Sequence, residues 1–229
     1  MTNSSNENPY FARLQNMKNI SEWLQEQRAN KAVEALKKNA FEAQYMSDGE
    51  SARTHILSQI SKEATVGVGG SMTMRQIGVL DALEKQGNVI YDHWKPDLSP
   101  EEVLKIRKAH LTCDVFLTSA NAVTLEGMLV STDGAGNRVG AMMFGPGKVI
   151  VVAGINKIVK DMESALRRIK DVATPQVVKD MGIDIPCAVT GFCNDCNSPF
   201  RACRATVILE RRPIFTDIQV LIIGEDLGF

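Results

Sequence analysis

The sequence predicts an α/β fold: a mostly parallel sheet flanked by helices, preceded by an N-terminal helical arm and carrying a C-terminal cysteine-rich loop. Three observations lead there. From Phe41 to Thr118, short apolar runs alternate with amphipathic segments, the order of strand–helix units whose strands pair in parallel. The run Thr65–Val68 ends in Gly69-Gly70, and a helical pattern begins directly behind it, as at the strand–helix turns of such folds. Lys148–Ala153, very apolar, is followed by a further helical pattern.

The elements follow in order. Residues 1–9 are Asn/Ser-rich and read as a mobile tail. Residues 10–38 carry helical spacing, with Phe11, Leu14, Met17 and Ile20 early and Ala32, Val33 and Leu36 later; Asn39 suits a left-handed stop. Phe41–Met46 is a short strand, and Asp48-Gly49-Glu50 opens a helix with acid in its first turn. After Thr65–Val68, one helix is expected over Met74–Lys85, closed by Gly87. Asn88–Tyr91 is a strand. Ser99-Pro100-Glu101-Glu102 is an N-cap with proline at the first helical position, and its helix runs to about His110. Cys113–Thr118 is a strand, with Cys113 in the core. Asn121–Val130 reads as a hairpin turning at Glu126-Gly127, Asp133–Arg138 as a polar glycine-rich loop, and Phe144–Gly147 as a turn. Asn156-Lys157 is expected to open a helix with Ile158, Met162, Leu166 and Ile169 on one face. A short helix lies within 174–186, a cysteine-rich loop fills 187–204, and strands Ala205–Leu209 and Asp217–Ile223 finish the chain. No internal repeat or low-complexity linker interrupts 30–229, and 10–229 is expected to form one domain.

With 229 residues, 44% hydrophobic and 23% charged, and a net charge of -1, the composition is that of a globular protein. The charge balance gives no case for a nucleic-acid surface. No apolar run reaches the roughly 20 residues that span a bilayer, and the N-terminus lacks a signal-peptide core, so the expected location is the cytoplasm.

Three regions carry candidate chemistry. The first is the glycine turn. Gly69 and Gly70 let backbone approach a ligand, while Ser71 and Thr73 can cap the following helix or bind oxygens; N–H groups at a helix start attract phosphate or carboxylate. The second is the polar hairpin region. Asn121, Asn137 and Arg138 are candidates for a small anion, arginine being suited to bidentate contacts, and a structural Arg138–Asp133 pair is the alternative. Glu126 is a candidate base or nucleophile, or simply the residue before a turn glycine. Lys157 is a third oxyanion contact, or else a solvated lysine behind a cap. Of the histidines only His93 follows a strand end, where ligands collect. The third is the segment Cys187-x5-Cys193-x2-Cys196-x6-Cys203. Four cysteines so close together favour a metal site over disulfides in a reducing compartment. Cys193 and Cys196 can meet one centre from one turn, Cys203 can fold back as a third ligand, and Cys187 is a possible fourth. The set suits zinc or a [4Fe–4S] iron–sulfur cluster; reduced structural or redox-active thiols are the alternative.

Several stretches, Val66–Gly78, Asn121–Asp133, Gly136–Val139, Phe144–Pro146, Gly154–Lys157, Thr190–Cys203 and the ending Val220–Phe229, resemble the LUD (lactate-utilisation) domain family over roughly residues 10–229. The resemblance implies a fold similar to the ribose-5-phosphate isomerase / CoA-transferase-like superfamily, in which the glycine/Ser/Thr loop holds an anion, here Gly69, Gly70, Ser71 and Thr73. Some members belong to a bacterial complex, with iron–sulfur subunits, that oxidises L-lactate to pyruvate. This chain lacks the ferredoxin-type cysteine runs of the large subunit and resembles the stand-alone type with its own cysteine loop. The expected function is that of a lactate-utilisation-type protein binding a small anionic metabolite, with a metal or iron–sulfur site and a redox partner protein. A CoA-transferase or sugar-phosphate-isomerase-like enzyme using Glu126 is one alternative, and a non-catalytic partner subunit with a structural metal the other. The apolar arm at 10–38 makes a homodimer an expectation too.

Overall fold

The computed structural model describes residues 9–229; the tail expected over residues 1–9 falls almost wholly outside them, as do the side chains of Phe11 and Leu14. The first element is a long helix, α1 (Pro9–Lys38). Its C-terminal half buries Ala29, Ala32, Val33 and Leu36 against the sheet. Met17 and Ile20, expected on a buried stripe, are exposed, together with Trp23 and Leu24.

The main sheet has six strands: β1 (Glu42–Met46), β2 (Thr65–Val68), β3 (Val89–Asp92), β4 (Val115–Thr118), β7 (Lys148–Gly154) and β10 (Asp217–Ile223). Their order is β1-β10-β7-β4-β2-β3, and every pairing is parallel. A parallel sheet is covered on both faces, so its strands read as unbroken apolar runs. Successive side chains of a strand point to opposite faces. Val149, Val151, Ala153, Ile218, Val220 and Ile222 therefore pack with α1 on one side. Ile150, Val152, Leu221 and Ile223 pack with Ile56, Met74 and Leu83 on the other.

The helices on that second face are α2 (Gly49–Gln59), α3 (Met72–Gln76) and α4 (Val79–Gln86). Asp48 caps α2 by accepting from the Ser51 N–H. The single helix expected over Met74–Lys85 is two helices, because Gly78 sits at φ 67 between them, a left-handed conformation that ends a helix and that glycine adopts freely. At the sheet edge α5 (Pro100–Ala109) starts in the expected place, with Ser99 and Glu102 forming a reciprocal capping box.

A second sheet, of order β8-β5-β6-β9, is built from the expected hairpin β5 (Ala122–Thr124) and β6 (Leu129–Asp133), with β8 (Ile158–Val159) beside β5 and β9 (Ala205–Leu209) beside β6. Helix α6 (Asn137–Met143) was not apparent in the sequence; Asn137 and Arg138 open it rather than lying in a loop. Asn156-Lys157 do not start a helix but sit in a 3-10 turn, Ile155–Lys157. The helix, α7 (Met162–Arg168), begins later, where Asp161 caps it by accepting from Ser164. It runs through a π-helical stretch, Ile169–Ala173, into α8 (Thr174–Asp180). Pro175 has no N–H to continue the α ladder, which accounts for the widened turn there. Helix α9 (Pro186–Thr190) leads into the cysteine loop. No helix among the described residues is long and apolar enough to cross a membrane.

Candidate functional site

Because all six strands of the main sheet run the same way, their C-terminal ends share one edge. The chain leaves β2 into Gly69–Thr73, β3 into His93-Trp94, β4 into Ser119–Asn121 and β7 into Asn156-Lys157. Crevices at such an edge are where open α/β sheets hold ligands. A cleft of about 350 Å³ lies there, closed on its other side by Asp133–Arg138, by α8 and by residues 199–202 of the cysteine loop. Gly69, Gly70, Ser71, Thr73, Asn121, Asn137, Arg138 and Lys157 all line it.

The two turn glycines are required by close packing. A Cβ on Gly69 would lie 2.9 Å from Thr118 Oγ1, and Gly70 has φ 65 with His93 and Trp94 against it. Ser71 Oγ accepts from Met74 N as the N-cap of α3. That helix has only five residues, so its dipole gives little of the anion attraction expected from a long helix. The charge in the cleft comes instead from side chains.

Lys157 is 3% exposed, and its Nζ donates to Thr73 Oγ1 and Ser119 Oγ, both at 2.9 Å. Burial, with Arg168 and Arg138 nearby, pulls its pKa down to about 7. Arg138 donates to the Thr132 carbonyl and to Asn121 Oδ1. The Arg138–Asp133 ion pair, the structural alternative for this arginine, is not among those of the described residues. Asp133 instead accepts from the N–H groups of Ala135, Arg138 and Val139 at the start of α6. Burial alone would raise its carboxyl, but the Arg138 charge and these N–H groups outweigh that and hold it below the ordinary carboxylate value.

His93 also lines the cleft. Burial, helped by the charge of Arg107 and by His110, lowers it to about 4, so its ring is neutral. His93 Nδ1 and Arg107 Nε are buried without a hydrogen-bond partner among the described residues. Trp94 forms a fixed wall: its N–H donates to Asp92 Oδ1, and Arg75, paired with Asp92 at 2.8 Å, lies over its ring. In total Arg107, Arg138, Lys157 and Arg201 face the cleft against Asp133 and Asp180. Arg107, Arg201 and Asp180 lie in segments whose local pattern says only helix face or loop, so sequence reasoning missed them.

Glu126 is not brought to this site. It is exposed in the β5–β6 turn, whose Glu126 and Gly127 carbonyls accept from Asn39 Nδ2 beside α1, both at 2.9 Å. The turn thus docks the hairpin on the helical arm, at the far end of β5 from Asn121.

The four cysteines of the loop do come together. Cys187, Cys193, Cys196 and Cys203 line one small pocket with Lys170, Thr174, Ile185, Asn194 and Asp195, and all four are free thiols. Burial, and then the thiols of Cys196, Cys193 and Cys203, raise the Cys187 thiol. Arg201 ties the loop by donating to the carbonyls of Cys203 and Cys196 and to Asp195 Oδ1, at 2.7–2.8 Å. Among the described residues no group of three or more Cys, His, Asp or Glu side chains is arranged to hold a metal ion. Thr174 lines both this pocket and the main cleft, and Arg201 stands between them.

A family model described as the LUD domain matches residues 29–223. No curated protein matches the chain. Among solved structures, a DUF162 family protein from Deinococcus radiodurans is similar at 12% identity and a TM-score of 0.51, over 87% of this chain and 98% of that one; at that identity the likeness is one of fold. Ribose 5-phosphate isomerase from Plasmodium falciparum is similar at 17% identity over 49% of this chain and 52% of that one, with a TM-score of 0.31, too partial a likeness to carry an argument.

Proposed function

The chain belongs to the LUD (lactate-utilisation) domain family, and from that premise we propose that its cleft binds a small carboxylate metabolite, a 2-hydroxy or 2-oxo acid, beside an iron–sulfur centre held by the cysteine loop. The observation that carries the reading is the surplus of cationic side chains in one cleft of a chain whose net charge is -1. Arg107, Arg138, Lys157 and Arg201 outnumber the two carboxylates there; Arg201 is paired with Asp195, and Asp133 is engaged with backbone N–H groups. The unpartnered Arg107 Nε and His93 Nδ1 are donors or acceptors that a polar ligand would satisfy. Trp94, Phe200 and Phe229 supply apolar wall.

Cys187, Cys193, Cys196 and Cys203 would hold the centre. Four free thiols lining one pocket are the ligand set that a [4Fe–4S] cluster takes. Bound there, it would supply one-electron transfer, exchanged with a redox partner protein. The chain's own part is to bind and orient the carboxylate between Arg138 and Lys157.

Calorimetric titration with L-lactate and pyruvate tests the cleft. Both are expected to bind, uncharged lactamide is not, and Arg138→Met is expected to weaken binding about tenfold or more, the loss of one charge-assisted contact. Equal binding of lactamide overturns the anion reading. For the loop, anaerobically purified protein is expected to be brown, with broad absorption near roughly 400 nm from thiolate-bound iron. Cys193→Ala and Cys196→Ala are each expected to lose the iron and the colour while L-lactate still binds. Colourless anaerobic protein overturns the cluster.

A further inference from the structure

Lys157 is a buried amine without a counter-charge. Its two partners, Thr73 Oγ1 and Ser119 Oγ, are hydroxyls, and no ion pair involves it among those of the described residues. The fixed charges that act on it, Arg138 and Arg168, are both positive. Here the amine is held at the floor of a cleft by the turn after β7, and Asn156 pins that turn through hydrogen bonds with Leu227 and Gly228. A desolvated lysine close to other cations is the arrangement that turns an amine into a nucleophile towards carbonyl carbon.

We propose that Lys157 forms an imine with the carbonyl carbon of a 2-oxo acid bound in the cleft, a step that rests on the reading of the cleft as a carboxylate site. The Nζ lone pair forms the new C–N bond, and the carbonyl π pair moves to oxygen. Nζ then gives up its two protons as that oxygen leaves as water, so atoms and charge balance with no other reactant. Thr73 and Ser119, each 2.9 Å from Nζ, are placed to relay those protons. The ligand carboxylate falls to Arg138, which lines the same cleft. Because burial, with the charges of Arg168 and Arg138, holds Lys157 near a pKa of about 7, much of the amine is unprotonated at neutral pH, unlike an ordinary lysine.

The test is reductive trapping on the full-length protein with pyruvate and sodium cyanoborohydride at about pH 8, where surface lysines stay protonated. Peptide mapping is expected to find one carboxyethyl group per chain on Lys157, about tenfold or more above the exposed Lys160. In Lys157→Arg, checked by circular dichroism to be folded, the adduct is expected to vanish; mapping the unaltered protein makes the result independent of that variant. Label spread over surface lysines, or undiminished in Lys157→Arg, overturns the proposal. L-Lactate, which has no carbonyl, separates the two ideas: if pyruvate and L-lactate both bind by calorimetry and no adduct forms, the imine is wrong and the carboxylate site stands. If neither binds, both fall.

Discussion

Gly127→Ala is expected to destabilise the protein by about 3 kcal/mol or more, the range of backbone strain combined with overpacking, and to lower the midpoint of denaturant unfolding accordingly. Gly127 has φ 80, a region a side-chain-bearing residue enters only at a cost. A Cβ there would lie 2.5 Å from Leu36 N and 2.6 Å from the Ala35 carbonyl oxygen. Those atoms are helix backbone, so they cannot swing aside. Either the β5–β6 hairpin lifts off α1, breaking the Asn39 bonds to Glu126 and Gly127, or the end of α1 unwinds. Glu126→Gln is the paired control. Its side chain is exposed, so it is expected to change stability by less than about 0.5 kcal/mol and to leave L-lactate binding unchanged. A Gly127→Ala protein as stable as the parent would mean that the turn does not dock on α1.

That pair also explains how far the site was legible. The sequence located the hairpin turn correctly, but a turn residue has two neighbourhoods: the strands it joins and whatever lies beneath. Glu126 stands at the opposite end of β5 from Asn121, and only Asn121 reaches the cleft. Several residues that meet there, Gly69 to Thr73, His93, Asn121 and Lys157, share a rule visible in one dimension, since each follows the C-terminal end of a parallel strand of the main sheet. Gly69 to Thr73 and Lys157 were found that way. Arg107 and Arg201 come from a helix face and an irregular loop, and nothing in their spacing sets them apart.

The fold followed a similar division. Strands covered on both faces are continuous apolar runs, so β2 and β10 fall where the sequence placed them. Helix α6 escaped because it begins after Gly136, at φ 84, and contains Gly140, residues that locally argue for a loop. Lys157 was assigned to a helix start because the true cap, Asp161, is separated from it by two residues of a strand whose partner, β5, lies far back in the chain.

Affinity for L-lactate is expected to be constant below about pH 7 and to fall above it by up to tenfold per pH unit, the limit for one linked proton. Lys157 has its folded-state pKa lowered to about 7 from an ordinary 10.5. A bound carboxylate favours the ammonium and raises that value, so between the free and the bound pKa each binding event takes up a proton. Rising pH opposes proton uptake, and affinity falls through that window; below about pH 7 the lysine is already charged and the slope disappears. Other groups at the cleft do not change charge there: His93 is held near 4 and Asp133 below the ordinary carboxylate value, and the arginines remain cationic. The same shift acts on folding with the opposite slope. The unfolded chain carries a protonated Lys157 up to its ordinary value, so the unliganded fold gains stability from this group as pH rises from about 7 towards 10.5. Lys157→Met is therefore expected to bind L-lactate more weakly, through Arg138 and Arg201 alone, and with a flat pH profile over this range. Calorimetry in two buffers of different ionisation enthalpy at about pH 8 counts the proton directly, with a value approaching one expected for the parent and near zero for Lys157→Met. Proton release, or a slope that survives in Lys157→Met, would show that another group carries the titration.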